Sequence, residues 1–297
     1  MSDQRWLQLV CYTQDKHAET IESAMEEFNA LSITLQDKFD TPVLEPLPGE
    51  VRLWKDLIIT ALFDYDTDLN PLSDLLNKNS KAWNIDKFDI ETVEDQDWER
   101  VWMKDYHPMK FGENLWIYPS NYDIPEDDSI KILLDPGLAF GTGTHPTTAL
   151  CLEWLDQNPP KDQTVIDYGC GSGILALAAE KLGASKIVAT DIDPQALIAT
   201  KDNMQRNTIS ADKIPCYLPE DCPKEPVDLL LANILCGPLN ELFPLFSSLT
   251  RSKGKLVLSG LLSEQQQQII DIYSAAFENF EVKQLGDWVR ISATKID

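Results

Sequence analysis

The chain has 297 residues, of which 43% are hydrophobic and 25% charged, an ordinary globular composition. Its formal net charge of −24 disfavours nucleic-acid binding, which needs basic side chains against phosphates. The charge attracts cationic partners, although it can also serve solubility alone. The six cysteines form no C-x-x-C pair, and no apolar leader or membrane-length apolar run is present. We therefore expect a cytoplasmic protein of one or two domains, with no metal site and no membrane contact.

The first 93 residues predict a small α+β domain. Apolar residues at helical spacing predict helices at 19–30 and 72–78. Short apolar or alternating runs predict strands at 6–12, 32–36, 57–63 and 88–93. The resulting order β-α-β-β-α-β is that of a ferredoxin-like fold.

A charged and aromatic segment, residues 94–110, is interpreted as a linker. Trp98 and Trp102 are four residues apart, as on one face of an amphipathic helix, and a linker can also be helical. In residues 111–297, strand-like segments alternate with helical segments at 174–182, 195–206, 239–249 and 264–277. This alternation predicts an α/β domain with a parallel sheet covered on both faces. The final two strand-like segments, residues 280–284 and 288–293, predict an antiparallel hairpin.

The strongest local signal is a glycine loop between a predicted strand and a predicted helix. The strand begins at Val165 and leads into Gly169, Gly171 and Gly173. Glycines let the backbone turn tightly and approach a ligand without a Cβ in the way. The next predicted strand ends at Asp191, about 20 residues on, where a carboxylate can accept hydrogen bonds from ribose hydroxyls.

The spacing of this loop favours S-adenosylmethionine (SAM) over a dinucleotide. A dinucleotide fingerprint reads G-x-G-x-x-G, but Ile174 occupies the position of the third glycine here. A pyrophosphate needs free backbone N–H groups at the helix start, and the carboxylate of Asp167 would repel it. SAM carries no phosphate. A tight turn that binds no ligand is the structural alternative.

A second glycine-rich segment lies upstream, between Asp135 and Thr148, before a helical run. We expect Thr147 or Thr148 to cap that helix. The turn that includes Gly143 and Thr144 can form a nest of N–H groups for a carboxylate, such as the amino-acid end of SAM. The residues alone leave a purely structural turn equally open.

Asn233 follows an apolar strand, residues 227–232, at the end where ligands bind in open α/β sheets. Its amide can accept a hydrogen bond from an incoming amine, although a turn or cap role is the more common one for asparagine. His145 is a candidate general base, but a lone histidine in a loop is more often structural.

Taken together, these motifs closely resemble the PrmA family of methyltransferases. The resemblance is carried by residues 135–148, 167–175, 191–194 and 232–235 and extends over nearly the whole chain. It implies a Rossmann-like class I SAM methyltransferase domain at 111–297, with a seven-stranded, mostly parallel sheet. It also implies a linker at 94–110 and a ferredoxin-like substrate-recognition domain at 1–93.

The resemblance further implies the substrate and the residue roles. The family trimethylates lysine side chains and the N-terminal α-amine of large-subunit ribosomal protein L11, which we expect to be modified before or outside ribosome assembly. Matched by motif, Thr148, Gly169, Asp191 and Asn233 would contact SAM, and Asn233 would orient the amine or SAM. The residue patterns add Gly143, Thr144, Asp167, Gly171 and Gly173 to the cofactor site. The alternatives are a SAM methyltransferase for another protein or a nucleobase, an NAD-dependent dehydrogenase and a non-catalytic binding protein.

Overall fold

The computed structural model describes residues 5–39, 54–94, 107–135, 141 and 143–297. The chain divides into two compact units, Met1–Asp97 and Trp98–Asp297. Most of the predicted linker, including Trp98 and Trp102, lies outside the described residues. Within the described part, no helix is both long enough and apolar enough to cross a membrane.

The first unit is a four-stranded antiparallel sheet with two helices. The strand order is β2-β3-β1-β4, which is the order of a ferredoxin-like fold and confirms that prediction. The elements are β1 (Arg5–Gln14), α1 (Ala18–Glu27), β2 (Ser32–Asp37), β3 (Asp56–Asp64), α2 (Asn70–Asn79) and β4 (Lys87–Glu94).

Alternation along the strands gives this sheet one buried and one open face. Leu9 and Cys11 of β1 are fully buried in the core that also holds Ile21 of α1 and Leu72 of α2. The residues between them point to the other face, which carries a set of partly exposed apolar side chains. We call it the open sheet face; its apolar residues include Trp6, Val10, Tyr12, Ile58 and Leu62.

The described part of the second unit begins with a small three-stranded sheet that the sequence analysis did not predict. Its strands are β5 (Met109–Phe111), β6 (Leu115–Tyr118) and β7 (Ile130–Leu133). Strands of three or four residues are too short to show a clear period in the sequence. Burial of apolar side chains against the main core, among them Phe111, Leu115 and Ile132, holds this sheet in place.

The rest of the unit alternates strands with helices, as predicted. A helix, α3 (Pro146–Gln157), precedes the alternation. The elements that follow are β8 (Thr164–Tyr168), α4 (Ile174–Lys181), β9 (Lys186–Thr190), α5 (Pro194–Arg206), β10 (Cys216–Tyr217), β11 (Val227–Asn233), α6 (Cys236–Glu241), α7 (Phe243–Leu249), β12 (Thr250–Leu262), α8 (Gln266–Tyr273), β13 (Phe277–Leu285) and β14 (Trp288–Lys295).

These strands form one sheet in the order β10-β9-β8-β11-β12-β14-β13. The first five pair in parallel, and β14 pairs antiparallel with both β12 and β13. This confirms the predicted seven-stranded, mostly parallel sheet with a terminal hairpin. The strand order reverses between β8 and β11, and ligands bind at the carboxyl ends of the strands at such a switch point.

Two predicted helices have different bounds in the structure. The helix expected over 239–249 is divided into α6 and α7, because Pro244 in the first turn of α7 cannot continue a preceding helix. The helix expected over 264–277 begins with a 3-10 turn at Ser263–Gln265 and ends at Tyr273. Phe277 instead starts β13, where it is buried.

Candidate active site

The two glycine loops lie against each other, although they are far apart in the chain. The hydroxyl of Ser172 donates a hydrogen bond to the carbonyl oxygen of Gly141, 31 residues upstream, at 2.6 Å. A Cβ placed on Gly143 would lie 3.5 Å from Cδ1 of Ile174. Residues 136–140 and 142 fall outside the described part of the loop. The expected SAM contacts of Gly143, which is buried, and of Thr144, which is exposed, stay predictions.

Glycine is required in the downstream loop for both conformation and space. Gly169, Gly171 and Gly173 have φ values of 79°, 53° and 79°, a region that other residues rarely adopt. A Cβ on Gly169 would overlap Cγ2 of Ile234, and one on Gly173 would lie 2.7 Å from Cγ2 of Thr200. The backbone therefore comes closer to its neighbours than any other residue would allow.

Four backbone N–H groups of this loop already have partners within the protein. Those of Gly169, Cys170 and Gly173 donate to backbone carbonyls at 2.8–3.0 Å. The N–H of Gly171 donates to Oδ2 of Asp191 at 2.9 Å. A pyrophosphate site needs such groups free, so the loop suits a phosphate-free ligand, which favours SAM over a dinucleotide.

Two residues of α5 that the sequence analysis missed anchor the loop from below. Thr200 donates to the carbonyl of Gly171 at 3.1 Å, and Asn203 donates to the carbonyl of Ser172 at 2.8 Å. Both side chains are buried. Polar residues three apart on the apolar face of a helix were the signal that could have identified them.

Asp191 follows β9 directly and holds the glycine loop through one carboxylate oxygen. Its other oxygen, Oδ1, accepts from the N–H of Asp193 at 3.0 Å. Each carboxylate oxygen can accept two hydrogen bonds, so both retain capacity for ribose hydroxyls. Asp193 has a separate role, because it caps α5 by accepting from the N–H of Gln195 at 2.9 Å.

Asp191→Ala is expected to weaken SAM binding about 10–100-fold, because a charged hydrogen-bond acceptor contributes roughly 1.5–3 kcal/mol. Isothermal titration calorimetry with SAM measures the change. Asp193→Ala is the matched control, which should cost about 1 kcal/mol of stability through the lost cap but change SAM affinity little. Equal affinities for Asp191→Ala and wild type would refute the ribose role.

Asp167 lies one residue before the end of β8, beneath the glycine loop, and its buried carboxylate caps α4. Its Oδ2 accepts from the N–H of Ala176 at 3.0 Å, in the first turn of that helix. The N-cap residue, Gly173, has no side chain to do this. Oδ1 is buried without a partner. Burial raises the pKa of Asp167 to about 7; its contact with SAM stays a prediction.

This raised pKa predicts how stability depends on pH. Between the ordinary pKa of an aspartate and about 7, the folded protein keeps a proton on Asp167 that the unfolded chain releases. The contribution of this group to the free energy of unfolding therefore falls as pH rises through that window. Asp167→Asn removes this titrating group. The free energy of unfolding of the variant should therefore rise by about 2 kcal/mol relative to that of wild type between pH 5.5 and pH 7. Urea denaturation at both pH values tests this, and parallel pH profiles would contradict it.

Asn233 ends β11, beside the strand that leads into the glycine loop. Its Nδ2 donates to Oγ1 of Thr148 at 3.2 Å, whereas its Oδ1 is buried without a partner. An unsatisfied buried oxygen costs roughly 1–3 kcal/mol, so this atom points to a donor that a ligand supplies. Thr148 is fully buried and fixes the orientation of the amide. The predicted contacts of Thr148 and Asn233 with SAM stay predictions.

His145, and not a threonine, caps α3. Its Nδ1 accepts from the N–H of Thr147 at 3.4 Å and lies 2.7 Å from the Thr147 hydroxyl. The predicted cap at Thr147 or Thr148 is wrong, because Pro146 starts the helix and places both threonines inside its first turn. Burial lowers the pKa of His145. Its proposed role as a base stays a prediction.

Comparison with known proteins identifies relatives that match almost the whole chain. The family model described as "Ribosomal protein L11 methyltransferase (PrmA)" matches residues 5–296. A ribosomal protein L11 methyltransferase of Escherichia coli O8 is 50% identical over 291 residues, covering 98% of this chain and 99% of that protein. The same identity and coverage hold for the Shigella boydii serotype 18 protein of that name.

A solved structure agrees with these relatives. The crystal structure of a ribosomal protein L11 methylase from Lactobacillus delbrueckii subsp. bulgaricus has a TM-score of 0.59 and 33% sequence identity to this chain. The match covers 65% of this chain and 100% of that one. Together with the full-length sequence match, these findings show that the chain belongs to the PrmA family of ribosomal protein L11 methyltransferases.

Proposed function

We propose that this enzyme transfers methyl groups from SAM to amines of ribosomal protein L11, namely lysine side chains and the N-terminal α-amine, up to the trimethyl state. The family match over residues 5–296 supports L11 as the substrate. The observation that carries the chemistry is the unpartnered, buried amide oxygen of Asn233 at the carboxyl end of β11. Such an acceptor suits an amine N–H.

The residues of the site fit SAM as the methyl donor. The sulfonium of SAM makes its methyl group electrophilic, so the chemistry requires no metal, and no cluster of metal-binding side chains occurs in the described residues. Asp191 would accept from the ribose, and Gly169, Gly171 and Gly173 would let the adenosine approach the backbone. Asn233 would accept from the amine and direct its lone pair, so the protein would act chiefly through orientation.

The acceptor amine must be neutral when it reacts. Deprotonating a lysine at pH 7 costs about 4.6 kcal/mol, whereas the α-amine costs only about 1–1.4 kcal/mol. The Asn233 amide cannot take this proton, and Nδ1 of His145 is engaged with Thr147. We therefore propose that the proton leaves to solvent before methyl transfer. A desolvated pocket would help, because burial disfavours the charged form of an amine.

We propose that the N-terminal unit recruits the substrate through its open sheet face. Residues 1–97 contain 21 acidic and 8 basic residues. The apolar centre of the open sheet face, around Val10 and Tyr12, is flanked on β4 by Glu91 and by Asp89, which forms an ion pair with Lys87. A ribosomal protein carries basic side chains for RNA, so charge would steer it to this unit. The 94–110 segment would then act as a hinge between different acceptor amines.

This recruitment implies where the reaction takes place. An acidic enzyme is repelled by ribosomal RNA, so we propose that it acts on free L11 in the cytoplasm, before or outside ribosome assembly, and without contacting nucleic acid. Comparing free L11 with assembled large subunits as substrates tests this. Equal rates of methylation for the two would count against it.

The central experiment incubates the full-length protein with radiolabelled SAM and ribosomal proteins from cells that lack this methyltransferase. The label is expected in the L11 band, and intact-mass analysis should show additions that approach three methyl groups per modified amine. Label in another protein, or SAM binding without transfer to any ribosomal protein, would refute the proposed substrate.

A further inference from the structure

Asn233 cannot orient the acceptor amine by a hydrogen bond in the third methyl transfer. In each transfer the nitrogen lone pair forms the new N–C bond while the C–S bond breaks and its electron pair leaves with sulfur. After the first and second transfers the ammonium product loses a proton to water. The neutral amine that enters the third transfer carries two methyl groups and no N–H, so it can no longer donate to Oδ1 of Asn233.

An aromatic pair lies at the same edge of the sheet. The rings of His145 and Trp288 meet edge to face, with their centroids 4.7 Å apart. Trp288 begins β14 and pairs with Leu262 at the carboxyl end of β12, and β12 is the neighbour of β11. Asn233 pairs with Ser259 of β12, and Trp288 pairs with Leu262 of the same strand. The two residues are therefore two strands apart, at about 4.8 Å per strand, and offset by three residues along β12.

Helix α3 ties this pair to the Asn233 amide. His145 precedes Thr148, the partner of Asn233, by three residues, or about 4.5 Å along a helix axis. The N–H of Ser263 donates to the carbonyl of Asp287 at 2.8 Å and fixes the turn that presents Trp288. Trp288 is only partly buried, so part of its surface is available to a ligand.

The chemistry of this pair suits methylated nitrogen. An indole face attracts a methylated ammonium and packs against its methyl groups without needing an N–H. Burial lowers the pKa of His145, so its imidazole is neutral at pH 7 and does not repel a developing positive charge.

We infer that Trp288, supported by His145, forms the wall that holds the dimethylated amine for the third transfer, and so sets trimethylation as the end point. This rests on the proposed function, because it concerns the same amine site. Trp288 acts here as a specificity residue: it determines how many methyl groups are added, whereas Asn233 orients the acceptors that still carry an N–H.

The test compares the third transfer with the first in the full-length enzyme. Unmethylated recombinant L11 reports the first transfer. L11 dimethylated beforehand with formaldehyde and cyanoborohydride reports only the third, and peptide mass spectrometry counts the methyl groups. For Trp288→Leu, the ratio of the third rate to the first should fall about tenfold, the scale of a desolvated cation–π contact, with dimethyl product accumulating. Trp288→Phe should retain most of the ratio.

Two further variants separate this role from a structural one. His145→Asn keeps a residue type that caps helices well but removes the aromatic ring. Like Trp288→Leu, it should lower the ratio of the third rate to the first. Trp116→Leu is the matched control, since Trp116 lies on β6 of the small sheet under Lys110; its ratio should equal that of wild type. Both Trp variants are compared at saturating SAM.

The outcomes distinguish this inference from the proposed function. If Trp288→Leu yields the same trimethyl product as wild type, or loses the first and third transfers equally, the inference is overturned while methylation of L11 stands. A wild-type enzyme that stops at the dimethyl state also overturns it. If wild type labels no amine of L11, the proposed function fails as well.

Discussion

Asn233→Ala is expected to lower kcat for methyl transfer to L11 by up to about 10²–10³-fold, the loss measured when one oxyanion-hole hydrogen-bond donor is removed from an active site. The variant loses the only amide oxygen that we assign to the amine, and Oγ1 of Thr148 loses its donor. Initial rates at saturating SAM and L11, followed by radiolabel incorporation, give kcat directly.

A matched control is available seven residues further along the chain. Asn240 also has a buried amide oxygen without a partner, but it lies within α6 and not at a strand end. Asn240→Ala should therefore retain kcat near that of wild type. Calorimetry with SAM separates the two roles of Asn233. A large loss of SAM affinity with unchanged kcat would show that Asn233 holds the cofactor and does not orient the amine.

Gly169→Ala is expected to have the second large effect, and it acts on stability and SAM binding together. The alanine would adopt a φ of 79°, which costs roughly 1–2 kcal/mol. Its Cβ would also overlap Cγ2 of Ile234, and overpacking of this kind costs about 1–3 kcal/mol more. Urea denaturation should show the combined loss, and calorimetry should show weaker SAM binding because the loop is displaced.

Two variants separate the conformational cost from the steric one. Gly183 has a φ of 97°, but a Cβ there would make only ordinary contacts, the nearest 3.6 Å from Lys161, so Gly183→Ala reports the backbone cost alone. Adding Ile234→Ala to Gly169→Ala removes the overlapping methyl group and should restore part of the SAM affinity. A double variant that binds SAM no better than Gly169→Ala would show that the overlap with Ile234 is not the cause.

Much of the fold could be predicted because its signals are local. The alternation of polar and apolar residues along β2, and the alternation of apolar strands with helices after residue 111, reflect which faces are buried. The short strands β5 to β7 gave no such signal and form because a larger core covers them. The division of one predicted helix at Pro244 has a local cause, and a proline inside a helical run predicts it.

The candidate site was predictable to a similar extent. Glycine spacing, the carboxylate of Asp191 and the position of Asn233 follow from the chemistry that strand ends allow in a parallel sheet. The contacts that hold the glycine loop in place could not be predicted from the sequence. Thr200 and Asn203 bind its carbonyls from another helix, and the Ser172 hydrogen bond joins it to the upstream loop.

The sequence by itself determined the fold class, the conformation of the glycine loop and the kinds of side chain at the strand ends. Only the tertiary structure decided which of these groups are satisfied: Asp167 caps a helix while one of its oxygens stays unpartnered, and Asn233 keeps a buried oxygen without a donor. The physical reason is that backbone conformation depends on neighbours in the chain. Burial and hydrogen bonding of a side chain depend on residues that folding brings from elsewhere.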